Sequence, residues 1–501
     1  MTTMEWFQEK VNKLIELDTI KEKEETLMEM QIKWRNCDVL EQRTIAENLN
    51  SDPLMSLLLQ DEDIRDRVYV ILTMIYDGKY EIYKKNPDEI LPLINHSESV
   101  IRMFILKQLL SSCEDEQMLP VIFRDVNLIV AVINRISDED GSIRTIAKNF
   151  ITKIGKNLNG VKILYHGEPL RALAKLAVRN DHVSFHVGDV IISIATISKE
   201  HLEATIQSGF LSSLINMLQD DDILLQSAAI KLLTPLALTE EGLNYLEQQE
   251  VLTKLFGKII CTDENLMSNI TTPNVIKFFG NIAQLWPNEM FLKYPDVVSE
   301  LFRILYEKDC LLLGVALDTL GHIATNMEGK YALQTLGMLF AMKKIGEIIQ
   351  ETDTHYKISA LNNLNLLINV PKAEQDNRIL SLTKSWFDAL CDDPLGLIVK
   401  MSKQPFIDIR SASLEVLATV ASQAWGQQYI SDSPGLIEFL LDRNIETFKE
   451  CKELKYKVVQ YLSEAESHVF EAGTIQKLKQ FVNEGPFYVQ TYTEVEYESA
   501  M

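Results

Sequence analysis

His182 and His186 stand four residues apart in an H-x-x-x-H pattern, which on a helix brings both imidazoles to one face. Two histidines so placed are the beginning of a zinc site. A metalloprotease of this kind needs glutamate at 183 as general base, and Val183 stands there. A third ligand is missing too, so surface or groove histidines are the expectation. Carboxylates cluster as Asp61–Glu62–Asp63, Asp220–Asp221–Asp222 and Asp392–Asp393. Each cluster falls between helical runs, where acids cap helices and solvate turns. The six cysteines (Cys37, Cys113, Cys261, Cys310, Cys391 and Cys451) are scattered, with no C-x-x-C pair. They read as free thiols of a reducing compartment, in the core or half-buried. No G-x-x-x-x-G-K-[ST], G-x-G-x-x-G or G-x-S-x-G occurs. The expectation is a protein that is not an enzyme and needs no metal or cofactor.

The elements that would carry these residues are helices. Only 20 glycines and 14 prolines punctuate 501 residues. Leu, Ile, Glu and Lys recur at helical spacing almost throughout. A chain this long exceeds the roughly 250–300 residues at which one core stops growing, so it is either several domains or an array. Apolar residues at 46% exclude global disorder. No apolar run reaches the ~18–20 residues of a membrane span. The N-terminal stretch is amphipathic and charged, so no secretory signal is expected.

An array shows itself through repeats. "GNIA" at 280–283 returns as "GHIA" at 321–324, and more loosely as "ISIA", "TPLA" and "ATVA". The closing residues are Ala195, Ala237, Ala283, Ala324 and Ala421, with Ile368 in the alanine place of a weaker copy. After each copy a polar turn leads into a second series that starts at Gly160, His201, Gly242, Gly329 and Gly426. The period of about 41–46 residues and the sequence of helix, turn, short helix, kink and longer helix describe an armadillo-type unit. Arg65, Arg102, Arg144 and His186 mark a more HEAT-like N-terminal series. The expected fold is all-α, an armadillo/HEAT-repeat superhelical solenoid. Residues 1–60 would form a helical cap, 61–484 the array, and 485–501 an acidic tail expected to be flexible. Gly280, inside a helix, costs about 1 kcal/mol relative to alanine. Close approach of neighbouring repeats is the expected return.

In armadillo arrays the third helix of each unit lines the concave groove. One turn apart on those helices stand Lys231, Lys277, Asn281, Asp318 and His322, the candidate protein-binding groove. The tryptophan–asparagine ladder of nuclear-import proteins is absent, because Lys277 occupies the tryptophan place one turn before Asn281. Asn281 either hydrogen-bonds a neighbouring turn or contacts a partner. The net charge of −23 argues against coating nucleic acid. It leads one to expect an acidic groove that meets a basic protein surface.

Six collinear segments between 270 and 490 resemble one known family, that of 26S proteasome non-ATPase regulatory subunit 5. They are "VIKFFGNIA", "GVALDTLGHIATNMEGKYALQTLG", "SWFDALCDDP", "QPFIDIRSASLEVLATVASQAW", "SPGLIEFLLDR" and "NEGPFYV". The resemblance implies a non-catalytic chaperone for assembly of the base of the 26S proteasome regulatory particle. It implies binding to the C-terminal domain of a base AAA ATPase, regulatory-particle ATPase subunit 1. An ATPase neighbour and the large non-ATPase scaffold subunit would also be bound, with departure before the mature 26S particle forms. No nucleic-acid or membrane partner is implied. A monomer before binding is expected, in the cytoplasm and also in the nucleus. The alternative from the residues alone is a general armadillo-repeat interaction scaffold unrelated to the proteasome.

Overall fold

Aspartate and asparagine open many of the helices. Asp140 accepts from the backbone N–H of Ser142 and Ile143, and Asp222 from those of Leu224 and Leu225. Asp376 and Asp393 do the same for their helices. Each satisfies donors that a helix start leaves unpaired. The acidic clusters of the sequence are therefore mostly caps; Asp61 instead pairs with Lys23 at 2.8 Å.

The computed structural model describes residues 2–76, 87–115, 118–179, 182–260, 268–306 and 312–489. Among these residues there are helices and no β-strand. Cys261, Cys310 and most of the acidic tail, 490–501, lie outside them. The chain divides into two compact units, Met1–Gln248 and Gln249–Met501.

Each unit is a stack of three-helix repeats, the armadillo/HEAT solenoid arrangement. One helix of every repeat packs on the corresponding helix of the next, and these helices form a spine. In the first unit the spine runs through Arg65–Tyr76, Ser99–Ser112, Gly141–Gly155, His182–Ala195 and Ile223–Ala237. In the second it runs through Ser268–Leu285, Leu313–Ile323, Thr354–Ile368, Ile407–Ala421 and Lys449–Ser463. The helices Thr3–Glu16, Ile20–Asn36, Val39–Asn48 and Asp52–Gln60 precede the first spine. The repeat-closing residues Ala195, Ala237, Ala283, Ala324, Ile368 and Ala421 are all buried.

Gly280 is an interface residue between spine helices. A Cβ there would collide with Thr319 Cγ2 of the next spine helix. At Gly321 it would collide with Asn363 Oδ1 one repeat further on. Gly188 faces Leu232 Cδ1 in the same way, 2.8 Å from where its Cβ would lie. The absent side chain lets one helix lie closer to its neighbour than packed side chains allow.

A second glycine series has a different cause. Gly160, Gly242, Gly329 and Gly426 each sit three residues past the N-cap of the short helix that follows the spine helix. A Cβ would run into the backbone oxygen of Ile154, Leu236, Ile323 or Val420, six residues earlier in each case. The turn folds the short helix back so tightly that only hydrogen fits. His201 takes this place in one repeat and is buried there, with Ser198 Oγ 2.8 Å from its Nδ1.

The arginine series clasps loops. Arg102 Nη1 donates to His96 O and Ser97 O, at 2.7 and 2.6 Å. Arg144 Nη1 donates to Asp138 O and Glu139 O, at 2.7 and 2.9 Å. Arg410 reaches Gln404 O, and Arg65 reaches Leu58 O. An arginine in the first turn thus closes the loop that feeds its own helix, and its fixed fork suits paired carbonyls. Arg102 also holds the buried Asp138 with two parallel bonds of 2.9 Å.

Candidate protein-binding face

The exposed sides of the spine helices offer long rows of side chains. Lys277 is exposed and Asn281 half-buried on Ser268–Leu285. Asp318 and His322 are exposed on Leu313–Ile323, which packs against it. These four residues therefore lie on neighbouring helices of the second unit. Lys231 is exposed too, but on Ile223–Ala237 of the first unit.

Their chemistry differs. Asp318 Oδ1 accepts from the buried Asn363 Nδ2 at 2.8 Å and from Ser359 Oγ at 3.4 Å. Its carboxylate thereby ties one spine helix to the next. Among the described residues Lys277 and the Asn281 amide have no hydrogen-bond partner. Burial of the packed side of His322 pushes its imidazole pKa below the ordinary value. It is therefore neutral at physiological pH. Lys277, Asn281 and His322 together present one cation and two neutral polar groups.

The spine is not where the acid of the chain is concentrated. Its ten helices carry fifteen Lys and Arg against seven Asp and Glu, a net charge of +8 in a chain of −23. The acid lies instead in the turns and the flanking helices. The physical reason is capping: helix starts take carboxylates, so turns collect negative charge. Net charge carries no information on which face bears it.

Among the described residues no group of three His, Cys, Asp or Glu side chains is placed to hold a metal ion. His182 is exposed and His186 half-buried on their shared helix. Burial pushes the Cys113 thiol up to about 12 and raises Cys37, Cys391 and Cys451 as well, opposite to a reactive thiolate. No described helix is long and apolar enough to cross a membrane.

Residues 4–500 match the model of a family described as proteasome non-ATPase 26S subunit. The chain belongs to this family. A relative from Homo sapiens, named 26S proteasome non-ATPase regulatory subunit 5, is 30% identical over 410 residues, 81% of each chain. One of the same name from Bos taurus is 29% identical over 484 residues, covering 95% of this chain and 96% of its own. One from Drosophila melanogaster is 26% identical over 410 residues, 80% and 79% of the two chains.

This proteasome-subunit relative holds its second spine together with buried polar residues that carry no catalytic pattern. Lys330, fully buried, donates to Leu366 O at 2.9 Å and Leu367 O at 2.7 Å. Gln423, also buried, donates to Ile368 O at 2.8 Å and accepts from Thr383 Oγ1 and Trp425 Nε1. Between them they satisfy the last carbonyls of Thr354–Ile368, which the helix itself leaves open. The signal in the sequence was a charge in a mostly apolar column. After the repeated glycine or histidine come Val161, Leu202 and Leu243, then Lys330 and the uncharged Gln427.

Proposed function

We propose that the chain is a non-catalytic chaperone for assembly of the base of the 26S proteasome regulatory particle. It holds the C-terminal domain of a base AAA ATPase, regulatory-particle ATPase subunit 1, with its ATPase neighbour and the large non-ATPase scaffold subunit. It leaves before the mature 26S particle forms, and it works in the cytoplasm and the nucleus as a monomer until it binds. The observation that carries this reading is the family match across residues 4–500. The fold supports it physically. A stack of repeats is a preformed surface, so little ordering entropy is lost when a folded domain docks. The candidate contacts are Lys231, Lys277, Asn281, Asp318 and His322.

Two measurements test this. Tagged protein purified from cell extract is expected to bring base ATPase subunits without 20S subunits. Recovery of intact 26S particles, or of no proteasome protein, would count against the chaperone. Lys277→Glu, which reverses a charge, combined with His322→Glu, which adds one, should weaken capture of the ATPase C-terminal domain by about tenfold or more, as lost polar contacts at an interface centre do. Undiminished capture would remove these residues from the binding face.

A further inference from the structure

The acidity of the chain is interrupted at one repeat. Between Gly141 and Arg179 stand eight basic residues and a single acid, Glu168, a net charge of +7 within a chain of −23. Three helices carry them: Gly141–Gly155, Leu158–Leu164 and Gly167–Ala177. Two of the lysines lock this repeat to its neighbours. Lys153 pairs with Glu114 at 2.7 Å on the repeat before, and Lys148 pairs with Asp189 on the spine helix after. Lys156, Lys162 and Lys175 are exposed and have no ion-pair or hydrogen-bond partner among the described residues. The positive field is felt nearby: after burial, Lys148 and Arg144 are the next causes that hold the His186 imidazole below its ordinary pKa, against Asp189, which raises it. His182 acts in the same direction as the two cations.

We propose that the repeat Gly141–Arg179 is a docking surface for a short acidic segment of a protein partner. This does not depend on which partner the spine of the second unit holds. Of the free charges, Lys156 caps the end of spine helix Gly141–Gly155 and Lys162 follows on the next helix. Carboxylates are the matching groups, and lysine ammoniums meet them as point charges without demanding one geometry. The size of the patch selects the class of polyanion. One repeat is about 10 Å wide in the stacking direction, close to the Debye length at physiological salt. Exposed Glu139 and half-buried Asp140 stand where the repeat begins, and exposed Glu200 and Glu203 stand on helix Lys199–Ser208 of the next repeat. A nucleic acid, continuously charged along its length, would run from the lysines into these acids. A run of a few carboxylates ends within the patch. The net negative charge of the rest of the chain disfavours such a segment elsewhere on average, which steers it toward this repeat.

The test uses the full chain and fluorescein-labelled octaglutamate, read by fluorescence anisotropy. Binding is expected to the wild type and to weaken as ionic strength rises from about 0.05 M to about 0.3 M. Lys156→Glu with Lys162→Glu should weaken it by about tenfold or more. The control is Lys254→Glu with Lys400→Glu, an equal change of net charge at exposed lysines of the second unit; it should change binding by less than about twofold. Absence of binding by the wild type, or equal weakening by both double variants, overturns the proposal. So does tighter binding of an oligothymidylate than of octaglutamate, which would make the patch a nucleic-acid surface.

Discussion

Gly426→Ala is expected to destabilise the second unit by about 1–3 kcal/mol, the range of an overpacked core, and toward its upper end because the atoms it meets cannot rotate away. The added methyl would enter the Val420 backbone oxygen, with Val420 C only 2.6 Å away. A side chain could swing aside, but this oxygen belongs to the end of spine helix Ile407–Ala421. The short helix Ala424–Asp432 must then shift, and it carries Trp425, whose ring packs tilted against Phe387 at a centroid distance of 5.3 Å. Gly473→Ala is the matched control. It is exposed in helix Ala472–Glu484, with nothing near its Cβ position. There the alanine should stabilise by about 0.5–1 kcal/mol through helix propensity. Urea unfolding of both variants, followed by tryptophan fluorescence, reads the contrast. Equal midpoints for the two would refute the close approach at Gly426.

Lys330→Met should destabilise the same unit, and by an amount that grows with pH. The substitution keeps the volume but leaves Leu366 O and Leu367 O buried without donors, at about 1–3 kcal/mol for each unsatisfied group. Burial lowers the Lys330 pKa from 10.5 to about 7. A neutral amine has two N–H donors for these two carbonyls, so the neutral form fits its site. Between about pH 7 and 10.5 the unfolded chain therefore binds more protons at this residue than the folded one. Stability contributed by the site rises with pH across that window, by up to ~1.4 kcal/mol per pH unit. Below about pH 7 both states are protonated, and the penalty for the buried charge is fully present. The gap in unfolding free energy between wild type and Lys330→Met should widen from pH 7 to pH 9. A gap that stays constant over that range would show that the lysine is charged throughout.

Both predictions rest on residues that the sequence displayed without explaining. Gly426 was visible as one member of a periodic series, yet periodicity does not say what presses on it. The cause is a backbone oxygen six residues earlier, brought there by the turn. Gly280 and Gly321 look alike in the text, but they face a threonine methyl and an asparagine oxygen in the next repeat. Lys330 carries no signal of burial in its local sequence, because a lysine on a short helix reads as surface. Its burial depends on the end of a helix some forty residues away.

What the sequence determined by itself was the repeat: its period, its three helices, its acidic caps and its family. Those follow from local spacing, propensity and capping, which act over a few residues and are written directly in the chain. What only the tertiary structure decided was the use of each polar group. Asp318, a candidate groove residue, also ties two spine helices together through Asn363, while Asn281 has no hydrogen-bond partner among the described residues. The negative charge that composition assigned to the protein as a whole was sorted into turns and flanks, away from the spine. Charge adds along a sequence, but the field at a surface depends on which side chains the stacking turns outward.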